Sequence, residues 1–101
     1  MLISTAENIG KDYEVLGLVK GNTVQSRHIG RDILAGLKSL IGGEIKTFTD
    51  LLTHAREEAI QRMVDEAKKL DADAIIGMRF VSSDIMQNVS EILAYGTAVL
   101  V

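Results

Sequence analysis

The chain has no cysteine and no proline, no surplus of positive charge and no long apolar run, and each absence closes off a class of function. Without cysteine there can be no disulfide, no thiolate nucleophile and no thiolate metal centre, which removes the usual means of soft-metal capture. Eleven basic residues against fourteen acidic ones give a net charge of −3, so no global positive field gathers phosphates and nucleic acid is not an expected partner. The longest uncharged apolar tract, Ile92 to Val101, falls well short of the roughly 20 residues that a bilayer-crossing helix needs. Met1 to Gly10 lacks the basic flank, apolar stretch and small-residue cleavage pattern of a secretory leader. A cytoplasmic protein with no membrane partner is the resulting expectation. No segment repeats at a fixed period or is of low complexity.

What is present suits one globular domain over residues 1–101: 47% of residues are hydrophobic and 25% charged, outside the range of disordered chains. A short apolar piece, Leu2 to Ser4, is followed by a strand-like run from Tyr13 to Ser26, in which Gly17 and Gly21 point to a bulge or a close backbone approach. Ile29, Ile33, Leu34, Leu37, Leu40 and Ile41 then recur at helical spacing on one arc of about 140°, and Gly42-Gly43 reads as the stop of that helix. A second, longer helix is predicted from about Asp50, capped by Thr49 or Asp50. Its stripe is Leu52, Ala55, Ala59, Ile60, Met63, Ala67 and Leu70, with Glu58–Arg62 and Asp65–Lys69 as four-apart pairs on the wet side. Arg56 interrupts the stripe, about 40° from Leu52, where it must snorkel out or meet a carboxylate.

Two more strands follow, Ala74 to Val81 and Val89 to Val101, with Ser82 to Asn88 as a turn-rich connection. The last strand is apolar on both faces. One carries Val89, Leu93, Tyr95, Val99 and Val101, and the other Ile92, Ala94, Gly96, Ala98 and Leu100. Consecutive helices between strands cover one face of a small sheet, so the second face calls for another cover. A further copy of the same chain is the simplest source, since most soluble oligomers are symmetric homo-oligomers.

Several segments together carry a family resemblance: Ser26-Arg27-His28-Ile29-Gly30-Arg31-Asp32-Ile33, Ala35-Gly36-Leu37-Lys38 leading to Gly42-Gly43-Glu44, Ala55-Arg56, Ala72-Asp73-Ala74-Ile75-Ile76-Gly77, and Ala94-Tyr95-Gly96-Thr97-Ala98-Val99. Over essentially its whole length the chain resembles the YbjQ-like family of small bacterial and archaeal proteins, a family without an assigned reaction that carries a heavy-metal-binding label. The resemblance implies an α+β fold, a two-layer α/β subunit with an antiparallel sheet like that of the dodecin subunit. It also implies a ring of five subunits whose neighbours complete one another's sheets. Two positions depart from the pattern: Asp71 stands where similar sequences usually have glycine, and Phe48 where tyrosine is common.

Few metal donors back the family label. His54 falls on the polar face of the long helix with no histidine four residues away, and His28 lies at a strand-to-helix junction suited to capping or an interface. A metal site would need these histidines and carboxylates from several subunits. No HExxH, no strained serine-nucleophile turn and no phosphate-binding loop ending in Lys-Ser/Thr is present, so no catalytic residue is assigned and no cofactor is expected. The resemblance places Arg31, Asp32, Glu44 and Arg56 in recurring positions. These two cations and two anions form either an ion-pair network setting subunit register or a polar pocket for a small anion or metabolite at the subunit junction. The leading expectation is a non-enzymatic homopentamer whose ring makes the binding surface. Metal binding by His28, His54 and carboxylates shared between subunits is the alternative, and an enzyme acting through Arg31, Asp32 and Arg56 ranks last.

Overall fold

The computed structural model describes residues 1–26, 43–87 and 89–101, and in these it contains β1 (Leu2–Ile3), β2 (Glu14–Ser26), α1 (Gly43–Lys69), β3 (Ala74–Met86) and β4 (Val89–Leu100). The strands form one sheet in the order β1-β3-β4-β2. β4 is antiparallel to both neighbours, whereas β1 runs parallel to β3, pairing Leu2 with Ala74 and Ile3 with Ile75. The sheet is therefore mixed rather than antiparallel throughout. The departure comes from the N-terminal segment, which keeps bonding along β3 beyond β1: Ser4 N donates to Ile75 O, Met78 N to Ser4 O and Gly77 N to Ala6 O. Gly77, at φ +59°, makes the local kink that admits these bonds. The helix predicted over Ile29 to Ile41 lies outside the described residues.

Helix α1 is already formed at Gly43, well before the predicted Asp50, so Thr49 and Asp50 sit in its interior rather than capping it. Thr and Asp each lower helix stability by only up to about 0.7 kcal/mol relative to alanine, too little to end a helix that no proline interrupts. At the other end the chain reverses through a Schellman arrangement. Ala72 N donates to Ala67 O, Asp71 N donates to Lys68 O, and Asp71 takes the left-handed conformation at φ 58°.

One side of the sheet packs on α1 through small residues. Ala55, Ala59, Met63, Val64 and Ala67 from the helix meet Val19 of β2, Ile75 and Met78 of β3, and Ile92, Ala94 and Ala98 of β4. Gly21 is what lets the helix come so close: a Cβ there would overlap the main chain of Ala59 and Met63 and fall 2.8 Å from the Arg62 Cβ. Gly17 marks a bulge, where the β2–β4 register shifts between Val15 and Gly17 and φ reaches +153°. Both glycines thus have the roles their place in the strand suggested. Leu52 and Leu70, at the ends of the predicted stripe, are exposed, and Val64 joins the core in their stead.

The predicted turn from Ser82 to Asn88 is mostly strand. Ser82 pairs with Ile92, Ser83 with Glu91 and Asp84 with Ser90, so the ladder runs on past the turn-forming residues and shifts register only between Asp84 and Met86. Serine and aspartate favour turns locally, but a partner strand already in register outweighs that preference. β3 is consequently 13 residues long, about 43 Å at roughly 3.3 Å per residue. The molecule measures 54 × 27 × 18 Å, with a radius of gyration of 16.7 Å, against about 13 Å for a compact chain of this size.

Candidate functional site

The charged cluster expected from the sequence is brought together only in part. His28, Arg31 and Asp32 lie outside the described residues, as does the side chain of Glu44, although its backbone is in the first turn of α1. Arg56 is exposed and makes no ion pair among the described residues, so of the two outcomes expected for an arginine in the stripe it takes the first and reaches solvent. The buried ridge of α1 is narrow, running through Ala55, Ala59, Met63 and Ala67 at four-residue intervals. Arg56 falls beside this ridge at a level where neighbouring Leu52 is also wet, so its guanidinium has no desolvation to offset. His54 is likewise exposed on the helix. Among the described residues no group of three or more His, Cys, Asp or Glu could hold a metal ion.

A groove of about 280 Å³ runs between the edge of β2, at Lys20, Gly21 and Asn22, and the Arg62, Asp65, Glu66 and Lys69 residues of α1. Arg62 Nη2 donates to Glu58 Oε1 at 2.6 Å, the four-apart pair foreseen in the sequence, and Arg62 Nη1 donates to the main-chain oxygen of Asn22. Asp65 accepts from Gln61 Nε2 at 3.0 Å in place of the expected Lys69, whose ammonium lies 3.9 Å from Glu66. The groove's charges largely neutralise one another, and it holds no histidine or hydroxyl nucleophile. Its chemistry is that of a solvated rim along an edge strand.

The outer side of the sheet is more informative. Strand register places Val15, Leu18, Lys20, Asn22 and Val24 of β2 on this helix-free side, together with Glu91, Leu93, Tyr95, Thr97 and Val99 of β4. Beside them stand Ala74, Ile76, Arg79 and Val81 of β3. The apolar second face of β4 foreseen in the sequence is real, but part of its cover comes from the same chain: Ala74, Ile76 and Val99 form a small buried cluster against which Ile9 packs. Arg79 Nη1 holds this N-terminal segment down by donating to Thr5 O at 2.9 Å and Met78 O at 2.8 Å. Exposed apolar surface remains on the flanking strands instead. Val15, Leu18 and Val24 are 61%, 69% and 57% exposed, and on β3 beyond Met78 so are Val81, Ile85 and Met86, together with Phe80 on the other side of the strand, across from Ala94, at 43% to 65%. The sequence carried this signal in the apolar residues of β2, but only the register shows that they share the face α1 does not cover. No helix of the described residues is long and apolar enough to cross a membrane.

Comparison with known proteins fits this architecture. The chain is 54% identical to a UPF0145 protein of Thermosipho africanus, with 98% of this chain and 94% of that protein covered. It is 56% identical to a UPF0145 protein of Vibrio campbellii, covering 98% and 97% respectively. A crystal structure of a protein of unknown function from Pediococcus pentosaceus, of the DUF74 family, superposes with a TM-score of 0.70 at 21% identity, covering 100% of this chain and 97% of that one. At that identity the likeness establishes the fold alone. The family model described as "Putative heavy-metal-binding" matches residues 1–101, and the chain belongs to this YbjQ-like, UPF0145 family.

Proposed function

We propose that this protein works as a non-enzymatic, self-assembling module, a ring of five copies as the family resemblance implies, that binds a small ligand or anion where subunits meet. The observation that carries the reading is the apolar strip of Val15, Leu18 and Val24 on the helix-free side of β2, each more than half exposed in the single chain. Aliphatic side chains grouped on one strand face in this way favour burial against another protein surface. Arg31, Asp32, Glu44 and Arg56 remain the residues proposed to meet at the junction. Native mass spectrometry of the purified protein tests the reading, with five chain masses expected, together with the extra mass of any carried ligand. A protein that stays monomeric at micromolar concentration overturns it.

The family description favours a second reading, metal binding, in which His28 and His54 combine with carboxylates from several copies. Exposed His54 has no donor cluster around it among the described residues, so any such site depends on assembly. Calorimetric titration with zinc, nickel and copper, repeated on His28→Ala, separates the two. Binding that is tight and lost in the variant supports the metal reading.

A further inference from the structure

Strand register sets two cations on either side of a tyrosine across the middle of the helix-free face. Tyr95 of β4 is the direct partner of Lys20 on β2 and of Arg79 on β3, so the row reads Arg79–Tyr95–Lys20, with adjacent strands about 4.8 Å apart. Both cations are exposed, Tyr95 is half-buried between them, and neither cation makes an ion pair among the described residues. The charge of Arg79 is fixed in place, because its Nη1 donates to the main-chain oxygens of Thr5 and Met78.

The acidic groups nearest this row leave its charge standing. The rows on either side are uncharged, with Ile76, Thr97 and Leu18 toward one end of the face and Val81, Leu93 and Asn22 toward the other. Glu91 lies one row further on, across from Val24, and its Oε2 accepts from Asn22 Nδ2 at 3.0 Å. Asp65 and Glu66 line the groove on the other side of the β2 edge without pairing with Lys20, and Glu7, beside Gly77, does not pair with Arg79. Around the row the surface is aliphatic, and Leu18 and Val15 on β2 are 69% and 61% exposed.

A cationic row set in an exposed aliphatic face is complementary to a molecule with one anionic group and an apolar body. We infer that this row binds a small amphipathic carboxylate. Lys20 Nζ and the Tyr95 hydroxyl donate to the carboxylate, Arg79 contributes a fixed positive charge, and the aliphatic chain runs over Leu18 toward Val15, away from Glu91. Larger anionic partners fit less well. The chain's net charge of −3 opposes nucleic acid, and recognition of an anionic bilayer takes clusters of about four to eight basic residues. The inference deepens the reading of the protein as a binding module by naming a ligand class and the groups that hold it.

Octanoate is the probe, compared with octanol, which lacks the charge, and with acetate, which lacks the chain. The protein has two tyrosines and no tryptophan, so a Tyr13→Phe background leaves Tyr95 emission as the reporter beside calorimetric titration. Octanoate is expected to bind saturably and change that emission, with octanol and acetate each at least about tenfold weaker. Lys20→Gln should raise the octanoate dissociation constant about tenfold, through loss of a charge-assisted contact. Lys68→Gln, on the exposed side of α1, should leave it unchanged, and circular dichroism confirms that each variant is folded. No saturable octanoate binding, octanol binding as tightly as octanoate, or an affinity indifferent to Lys20→Gln overturns the inference. Native mass spectrometry reads assembly separately. An assembled protein that ignores octanoate overturns this site and leaves the ring standing, whereas a monomer that binds it overturns the ring and leaves the site.

Discussion

Gly21 of β2 and Ala59 of α1 are in backbone contact: a Cβ on Gly21 would overlap the Ala59 carbonyl and the Met63 amide. Neither neighbour can yield, because both belong to a hydrogen-bonded helix whose Ala59 and Met63 side chains are fully buried. Overpacking a core site costs about 1–3 kcal/mol where side chains can adjust, and here the obstruction is main chain. Gly21→Ala is therefore expected to lose more than about 3 kcal/mol, or not to fold, as measured by urea unfolding followed by circular dichroism. Gly10 provides the contrast. It has φ +78° and open space, with no atom within 4 Å of where a Cβ would stand, so Gly10→Ala should cost only the left-handed strain, roughly 1–2 kcal/mol.

Asp71 occupies the left-handed position of the α1 cap, where the Cβ is strained and glycine is not. Asp71→Gly should keep both cap bonds, Ala72 N to Ala67 O and Asp71 N to Lys68 O, while relieving that strain. A gain of about 0.5–1 kcal/mol is expected, less than the full strain because glycine also gives the unfolded chain more freedom. Calorimetry should record this as a rise in Tm of roughly 2–8 °C. An unchanged or lower Tm contradicts the assignment of strain at this residue.

The elements that sequence patterning reveals best are those whose residues decide their own structure. β2, β4 and the buried ridge of α1 are readable because Val19, Ala59, Met63 and Ala98 follow the periods of strand and helix. Gly17 and Gly21 are readable as special backbone positions, and Glu58–Arg62 as a pair, because each depends on close spacing in the chain or on one residue's own chemistry. Features set by distant partners are not. Helix α1, already formed at Gly43, overrides plausible caps at Thr49 and Asp50, and the continuation of β3 through Ser82, Ser83 and Asp84 depends on β4 lying in register. The wheel places Arg56 within the apolar stripe but leaves open whether it snorkels or pairs, because that depends on how far along the helix the stripe is covered. Nor does β1, two residues long, announce in sequence that it will run parallel to β3.

Met63 is fully buried between α1 and the sheet and is among the largest side chains so enclosed. Half of the other buried residues of its cluster are alanines, Ala55, Ala59, Ala67, Ala94 and Ala98, whose side chains cannot swing in to fill a void. Met63→Ala should consequently fall in the upper part of the 2–5 kcal/mol range for such truncations, whereas Met63→Leu, close in volume, should cost less than about 1.5 kcal/mol. Equal losses for the two would mean that this site collapses freely.

The Arg62–Glu58 pair is short, at 2.6 Å, yet both side chains are about half exposed. Water and salt screen such a pair, and exposed i,i+4 pairs contribute about 0.3–0.5 kcal/mol. Glu58→Gln should thus reduce stability by no more than about 0.5 kcal/mol, with the difference shrinking in 1 M NaCl, where the screening length falls to about 3 Å. Arg62→Gln removes in addition the charged donor to the Asn22 carbonyl, and charge-assisted bonds are the stronger kind. It should lose more than Glu58→Gln, and the excess should persist at high salt, because that contact is a directed hydrogen bond to a dipole rather than an attraction between net charges. Paired urea titrations of the two variants at low and high salt measure this. If their losses were equal and vanished together in salt, the guanidinium would be acting only as the partner of Glu58, and the edge of β2 at Asn22 would be open to another strand.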